Sequence, residues 1–431
     1  MIIDFTITNF RSIKDPQVFS LYAETPGTHL LDNIAYPAGE KIGVLKCAGL
    51  YGANASGKSN VLKALSALCS LIDNSGELKE HDPIPEYDPF LLSEETKIAP
   101  VQFEIEVVIS GVRYAYKIAF TQQEIIEESL VFYPSTQPAV IFERKPGATW
   151  KEIKFGSLYK GGARRIPLFA NNAYLSKAGN NAETPEMLRR VYNYFRIDLR
   201  KLGLNEMPLT INWHDGLINT VASILSCVDT GIASIEIKEI SEEELASFKF
   251  PDGIPEPVKK EILRSINSQF MFAHQTDAGK SVLFRERQES DGTRRLFSLA
   301  PVLIDKLEEG GVLILDELDH SMHPFMAELI IKLFNDPRVN KNNAQLIFTT
   351  HNIHLMTAEL LRRDQIWFTE KHQGATRCYS LDEFDKSKVK STSPFNQWYA
   401  EGRFGAVPSI DYENIVALFA EAEKNHAQKA Q

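Results

Sequence analysis

The chain has little of several things, and each shortage excludes a class of protein. Its 431 residues contain four cysteines, Cys47, Cys69, Cys227 and Cys378. They are scattered without the spacing of a disulfide framework or a zinc site, as suits a reducing compartment. No apolar run approaches the length of a membrane span; GVLILDEL is far too short. The opening MIIDFTITNF lacks a basic region followed by an apolar core, so no signal peptide is expected. There is no surplus of positive charge: the net charge is −10 and the pI about 5.6. That argues against coating nucleic acid through bulk charge, but leaves a local basic groove open. No heptad pattern persists over three heptads, so a long coiled coil is not expected. With 43% hydrophobic and 24% charged residues, the chain reads as a soluble, cytoplasmic globular protein without a membrane partner. Its length suits two or three domains.

What is present centres on GANASGKS, Gly52 to Ser59, which fits the phosphate-cradling pattern G-x-x-x-x-G-K-[ST]. Val44-Leu45 and Leu50-Tyr51 predict a buried strand before it. Val61, Leu62, Leu65 and Leu68 predict an amphipathic helix after it. Gly52 and Gly57 permit the close backbone approach that a side chain would block. The N–H groups across Asn54, Ala55, Ser56, Gly57 and Asn60 are expected to converge on the phosphates at the helix N-terminus. Lys58 supplies a charge for the β- and γ-phosphates, and Ser59 a hydroxyl for magnesium. ATP and Mg2+ are the expected ligands.

Elsewhere the patterns are less specific. IIDFTIT, residues 2–8, alternates like a half-buried edge strand. Arg11 follows it, and either reaches the phosphates or sits on the surface beside a turn. Val101 to Val107 and Val112 to Phe120 form a predicted hairpin turning at Gly111, with further strands at Leu130 to Tyr133 and Val140 to Glu143. From about 150 to 268, strand signals give way to helical ones at Pro185 to Leu199 and His214 to Cys227. An acidic tract, 241–244, and a turn-rich PDGIPEP interrupt them. The paired basic residues Arg164-Arg165, Arg189-Arg190 and Lys259-Lys260 read as solvated faces or a local anion contact.

Strands are predicted again at Gln269 to His274 and Val282 to Arg285, before Glu289-Ser290-Asp291-Gly292-Thr293. Ser290 is a natural N-cap, and Gly292 allows close approach of a ligand to a helix start. GVLILDE then reads as a buried strand whose tip carries two carboxylates. Asp316 would hold magnesium through water, and Glu317 would deprotonate the attacking water. Asp319 could bridge to a second subunit. His320 and His323 admit metal ligation, without an evident third ligand. Gln345 to Thr349 leads into Thr350-His351-Asn352, where His351 could donate to a γ-phosphate and His354 is the rival. Gln365 to Thr369 is a last strand, and Tyr412 to Lys424 a closing helix.

In this order, NFRSIKD, GANASGKS, ESDGT, LDELDHSMHP, TTHN, RRDQIWF and GRFGAVP resemble the OLD-like AAA15/AAA21 family of ABC-type ATPases. That family includes RloA-type proteins, the PARIS ATPase and the ATPase half of OLD nucleases. The resemblance covers most of the chain outside the mostly helical insertion, and implies an α/β, ABC-type P-loop ATPase core: a mixed sheet with helices and an antiparallel β meander. It divides the chain into an N-terminal ATPase lobe (1–145), the insertion (146–268) and a C-terminal ATPase lobe (269–431). It also implies a homodimer or higher homo-oligomer, in which ATP on one copy meets Ser290 and Gly292 of another. By the same resemblance His351 is the switch histidine, Gln102 senses magnesium and Arg11 faces phosphate. The implied function is ATP hydrolysis by a sensor or scaffold controlling a separately encoded effector, such as a nuclease, in bacterial anti-phage defence. The alternatives are a RecF/SMC-like DNA-binding repair ATPase and an OLD-like nuclease component. ESDGT departs from the LSGGQ of transporters. The residues after His351 lack the spaced carboxylates of a TOPRIM nuclease, so any nuclease would be a partner chain.

Overall fold

The structure is a computed structural model and describes residues 1–24, 29–39, 42–135, 137–202, 213–239 and 268–419. Two large sheets organise it. The first is antiparallel, made of β1 (Ile2–Thr8), β2 (Gln17–Ser20), β6 (Val101–Ile109), β7 (Val112–Phe120), β8 (Ile125–Tyr133), β9 (Ala139–Arg144) and β10 (Lys154–Phe155). Its order is β10-β9-β8-β7-β6-β1-β2. The predicted hairpin is therefore present, with Gly111 at φ +78 in its turn. The expectation that residues 2–8 form an edge strand is corrected: β1 is paired on both sides, and β2 takes the edge. The alternation of IIDFTIT reports a one-sided sheet, which an interior antiparallel strand shows as readily as an edge.

The second sheet holds the chemistry-bearing segments. Its order is β11 (Leu199–Leu202), β15 (Val312–Leu315), β16 (Gln345–Thr349), β5 (Cys47–Tyr51), β17 (Ile366–His372) and β18 (Ala375–Ser380). All neighbours are parallel except the β17–β18 hairpin. A parallel sheet is covered on both faces, so its strands read as unbroken apolar runs. Thus Val312 and Ile314 face one core, and Leu313 and Leu315 the other.

Helix α1 (Lys58–Asn74) fills the space between the sheets. Val61, Leu62, Leu65, Leu68, Leu71 and Ile72 recur at helical spacing, are fully buried, and join a core with Phe103, Ile105, Leu50 and Ile347. The same core takes in α2 (Tyr174–Gly179) and α3 (Glu186–Asn193). The helical stretch expected over 185–199 is present, α3 passing into a π-helix at Tyr194–Asp198, and β11 follows it and continues the parallel sheet. Residues 146–268 therefore contribute both to this core and to the sheet edge. They also supply α4 (Asp215–Ser226) and β12 (Ile232–Glu239). β12 pairs with β13 (Ser268–Gln275) and β14 (Ser281–Arg285) in a small antiparallel sheet.

On the far face of the parallel sheet lie α5 (Asp291–Glu309) and α6 (Pro324–Asn335), while Phe297 of α5 also packs under the small sheet. A two-strand ribbon, β3 (Ile34–Ala35) with β4 (Val44–Leu45), a short helix α7 (Phe395–Ala400) and a helical segment at 412–419 complete the described chain. Two layers of sheet around a P-loop helix, one parallel and one a meander, make a mixed α/β core. The acidic tract at 241–244, PDGIPEP, Lys259-Lys260 and the closing helix beyond 419 lie outside the described residues. Among the described residues, no helix is long and apolar enough to cross a membrane.

Candidate functional site

The loop between β5 and α1 closes into a tight turn. Gly52 has φ +150, Ala55 φ +60 and Gly57 φ +116. A Cβ on Gly52 would lie 2.4 Å from the Thr369 carbonyl oxygen, and one on Gly57 2.2 Å from Thr376 Oγ1. Both glycines are therefore required by packing as well as by backbone angle. Two threonines of the β17–β18 hairpin hold the loop from behind. Ser56 Oγ and Thr369 Oγ1 are 2.6 Å apart, and Thr376 Oγ1 donates to the Ser56 carbonyl at 2.8 Å. Gly57 is the N-cap of α1 and brings no side-chain acceptor; the Asn60 N–H donates to the Gly57 carbonyl at 2.9 Å, and the Lys58 and Ser59 N–H groups stay available to an anion.

Lys58 is buried, and its Nζ donates to the carbonyls of Gly52 (2.8 Å) and Ala53 (3.1 Å). Burial lowers its pKa to about 8, against the opposing pull of Asp316, Glu317 and Asp319. Ser59 Oγ donates to Asp316 Oδ1 at 3.0 Å, so β15 and α1 meet at this point. Thr349, at the tip of β16, links the Asp316 carboxylate to the Glu317 backbone. Its hydroxyl donates to Asp316 Oδ1 at 2.6 Å and accepts from the Glu317 N–H at 2.7 Å. Glu317 itself sits at φ +54, a backbone strain that turns it out of the strand.

A cavity of about 440 Å³ opens over these groups, lined by residues 54–60 with Glu317, Thr349, His351 and Lys371. His351 is exposed, and its pKa is lowered, first by partial desolvation and then by Lys58. His354 belongs to the next short turn, its N–H donating to Asn352 Oδ1.

The donor set matches a nucleoside triphosphate with a divalent cation. Two glycines make room for a phosphate chain, a lysine and a helix start attract it, and a hydroxyl and a carboxylate offer hard oxygen ligands to magnesium. Ser59 and Asp316 are the residues that would hold the metal.

Other predicted residues lie elsewhere. Arg11 is ion-paired with Asp88 at 3.0 Å, and its own N–H donates to the Asp88 carbonyl. Gln102 lies on the outer face of the meander, its amide donating to Glu104 at 2.6 Å, and does not line the cavity. Ser290 caps α5 by accepting from the Thr293 N–H at 3.1 Å. Gly292 packs against the Ser321 carbonyl, so that a Cβ there would approach to 2.8 Å. Ser290 is exposed, and neither residue lines the cavity of its own chain.

Asp319 accepts from the Thr350 hydroxyl within its own chain. His323 caps α6 by accepting from the Phe325 N–H, and His320 Nδ1 lies 3.4 Å from Glu317 Oε2. The spacing of these two histidines is thus accounted for without a metal. Arg164 packs on Tyr159, and Arg190 pairs with Glu186.

The motifs RRDQIWF and GRFGAVP are structural. Arg362 pairs with the buried Asp364, and Phe404 stacks on Phe368. Sequence reasoning missed Thr349, Thr369, Thr376 and Lys371. TTHN contained the first, but nothing local to the others marks them.

Fold and site together define a P-loop nucleotide-binding protein. The chain belongs to the family described as "AAA domain, putative AbiEii toxin, Type IV TA system", whose model matches residues 47–357. No curated protein matches it in sequence. Among solved structures it is similar to the SMC head bound to the C-winged helix domain of ScpA, at 13% identity and a TM-score of 0.40, covering 90% of this chain and 99% of that one. It is also similar to the SMC head domain from Thermotoga maritima, at 13% identity and a TM-score of 0.40, covering 88% and 98%.

Proposed function

We propose that this chain binds and hydrolyses ATP at a site that a second copy completes, and that ATP occupancy controls a separately encoded effector. The observation that carries the ATPase reading is the convergence of Ser59 and Asp316 at 3.0 Å beside Lys58 and Glu317. Magnesium, when bound, neutralises phosphate charge and orients the phosphates. The chain's own residues do the rest. Lys58 exchanges its two carbonyl partners for phosphate oxygens. Glu317, beside the cavity and outside the Asp316–Thr349 hydrogen bond, accepts a proton from the attacking water. His351, whose pKa is lowered in the nucleotide-free fold by partial desolvation and by Lys58, donates an N–H to the terminal phosphate.

The composite part of the reading rests on α5. Its capped first turn, with Ser290 exposed and Gly292 beside it, offers N–H groups away from its own chain's cavity. Arg11 and Gln102 join such a site only by exchanging Asp88 and Glu104 for nucleotide or metal. The specific OLD-like, RloA-type subgroup and a role in anti-phage defence are supported by the motif order. A partner effector is the natural output of a chain whose chemistry-bearing motifs, GANASGKS, LDELDHSMHP and TTHN, meet at one ATPase site. Within this reading, residues 1–145 and 269–431 form the ATPase lobes, and 146–268 the insertion.

Glu317→Gln is the test. It is expected to bind ATP with unchanged affinity, to turn it over about 10²-fold or more slowly, and to accumulate as an ATP-dependent dimer in light scattering. A variant that hydrolyses normally rejects the assignment of the base. One that stays monomeric with saturating ATP rejects the shared site.

A further inference from the structure

The cavity over the P-loop is short of positive charge for the ligand assigned to it. Lys58 faces Asp316 and Glu317, so one cation meets two carboxylates, and Asp319 adds a third nearby. A magnesium-bound triphosphate still carries net negative charge. The residue expected to add a cation, Arg11, is held by Asp88.

The β17–β18 hairpin supplies one instead. Thr369 and Lys371 are two residues apart on β17, so their side chains share a face, and Lys371 is directly opposite Thr376 in register. Thr369 touches the Ser56 hydroxyl, and Thr376 the Ser56 carbonyl. The face of the hairpin that grips the P-loop is therefore the face that presents Lys371. Glu370, on the opposite face, is occupied with Tyr379 and Arg377. Lys371 lines the cavity with Lys58, Glu317 and His351, is exposed, and has no carboxylate partner among the described residues.

We propose that Lys371 is a second phosphate-binding cation of this site, carried by a hairpin whose threonines fix it to the P-loop. The inference rests on the ATP-binding reading above. Lys371 acts on the ligand through charge, whereas Lys58 also shapes the loop.

The test is equilibrium binding of a fluorescent ATP analogue, with Mg2+, to the full chain and to Lys371→Arg, Lys371→Gln and Lys371→Glu. Lys371→Gln should weaken binding about tenfold, as loss of a charge-assisted hydrogen bond does. Lys371→Glu should weaken it further, and Lys371→Arg should stay within about twofold of the unmodified chain. The loss in Lys371→Gln should shrink as salt is raised. Melting temperatures without nucleotide should be unchanged, since the side chain makes no hydrogen bond or ion pair among the described residues.

Equal affinity in the Gln and Glu variants overturns the proposal. If the unmodified chain binds and Lys58→Ala does not, that result removes Lys371 alone and leaves the ATP site intact. Failure of the unmodified chain to bind at all removes the ATP reading itself.

Discussion

Ser59 on the first turn of α1 donates to Asp316 at the tip of β15, 3.0 Å away and 257 residues later in the chain. Thr349 donates to the same carboxylate oxygen. Asp316 thus accepts from two hydroxyls at one oxygen, and among the described residues its other oxygen has no hydrogen-bond partner. Ser59→Ala and Asp316→Asn should each raise the Mg2+ concentration for half-maximal ATP turnover about tenfold or more. A Mg2+ titration that superimposes on that of the unmodified chain would exclude both as metal-site residues.

Lys58 gives the site a pH limit. Its pKa, ordinarily near 10.5, is lowered by burial to about 8 in the nucleotide-free fold. Phosphate binding favours the protonated form, so the complex holds the proton to higher pH than the free chain. ATP affinity should therefore be flat below about pH 7 and weaken as pH rises through 8, approaching tenfold per unit. Affinity that stays constant from pH 7 to 9.5 would place the lysine's proton outside the binding equilibrium.

Gly57 is wedged against Thr376 with φ +116. Gly57→Ala meets both a clash and an unfavourable backbone angle, and should destabilise the chain by about 1–3 kcal/mol in denaturant titration. It should also abolish ATP binding. Thr376→Ala removes the two nearest clashing atoms but keeps a Cβ at 2.9 Å and leaves the angle unchanged, so the double variant should recover stability only in part. Full recovery would show that crowding alone mattered.

Ser290 separates local capping from the shared site. Ser290→Ala removes the acceptor for the Thr293 N–H and should cost about 1 kcal/mol of stability. Because Ser290 lies outside its own chain's cavity, ATP binding to the isolated protomer should persist while turnover falls. Turnover unchanged from that of the unmodified chain would confine Ser290 to a cap.

The legible parts of this chain were contiguous ones. GANASGKS announces a phosphate loop because strand, glycines and helix follow each other within thirty residues. GVLILDE announces a buried strand because both faces of a parallel strand are apolar. Gln102 was readable too: it alternates with Val101 and Phe103, so its own strand sends it to the outer face beside Glu104. Arg11 was not, since its partner Asp88 comes from a distant loop. The helical stretch predicted over 185–199 is present, as α-helix to Asn193 and π-helix to Asp198, and only Leu199 passes into the strand beside β15.

By itself, the sequence determined that a nucleotide loop, a pair of carboxylates and a histidine-bearing strand tip occur in one chain. Periodicity also settled most of the elements that carry them. Only the tertiary structure decided which of them meet. Strand order places β16 between β15 and β5, and this brings Asp316 and Thr349 to Ser59. The pairing of β17 with β5 sets Thr369, Thr376 and Lys371 against the P-loop. Local propensity acts over a few residues, whereas these contacts span hundreds and are fixed by burial of both faces of the parallel sheet.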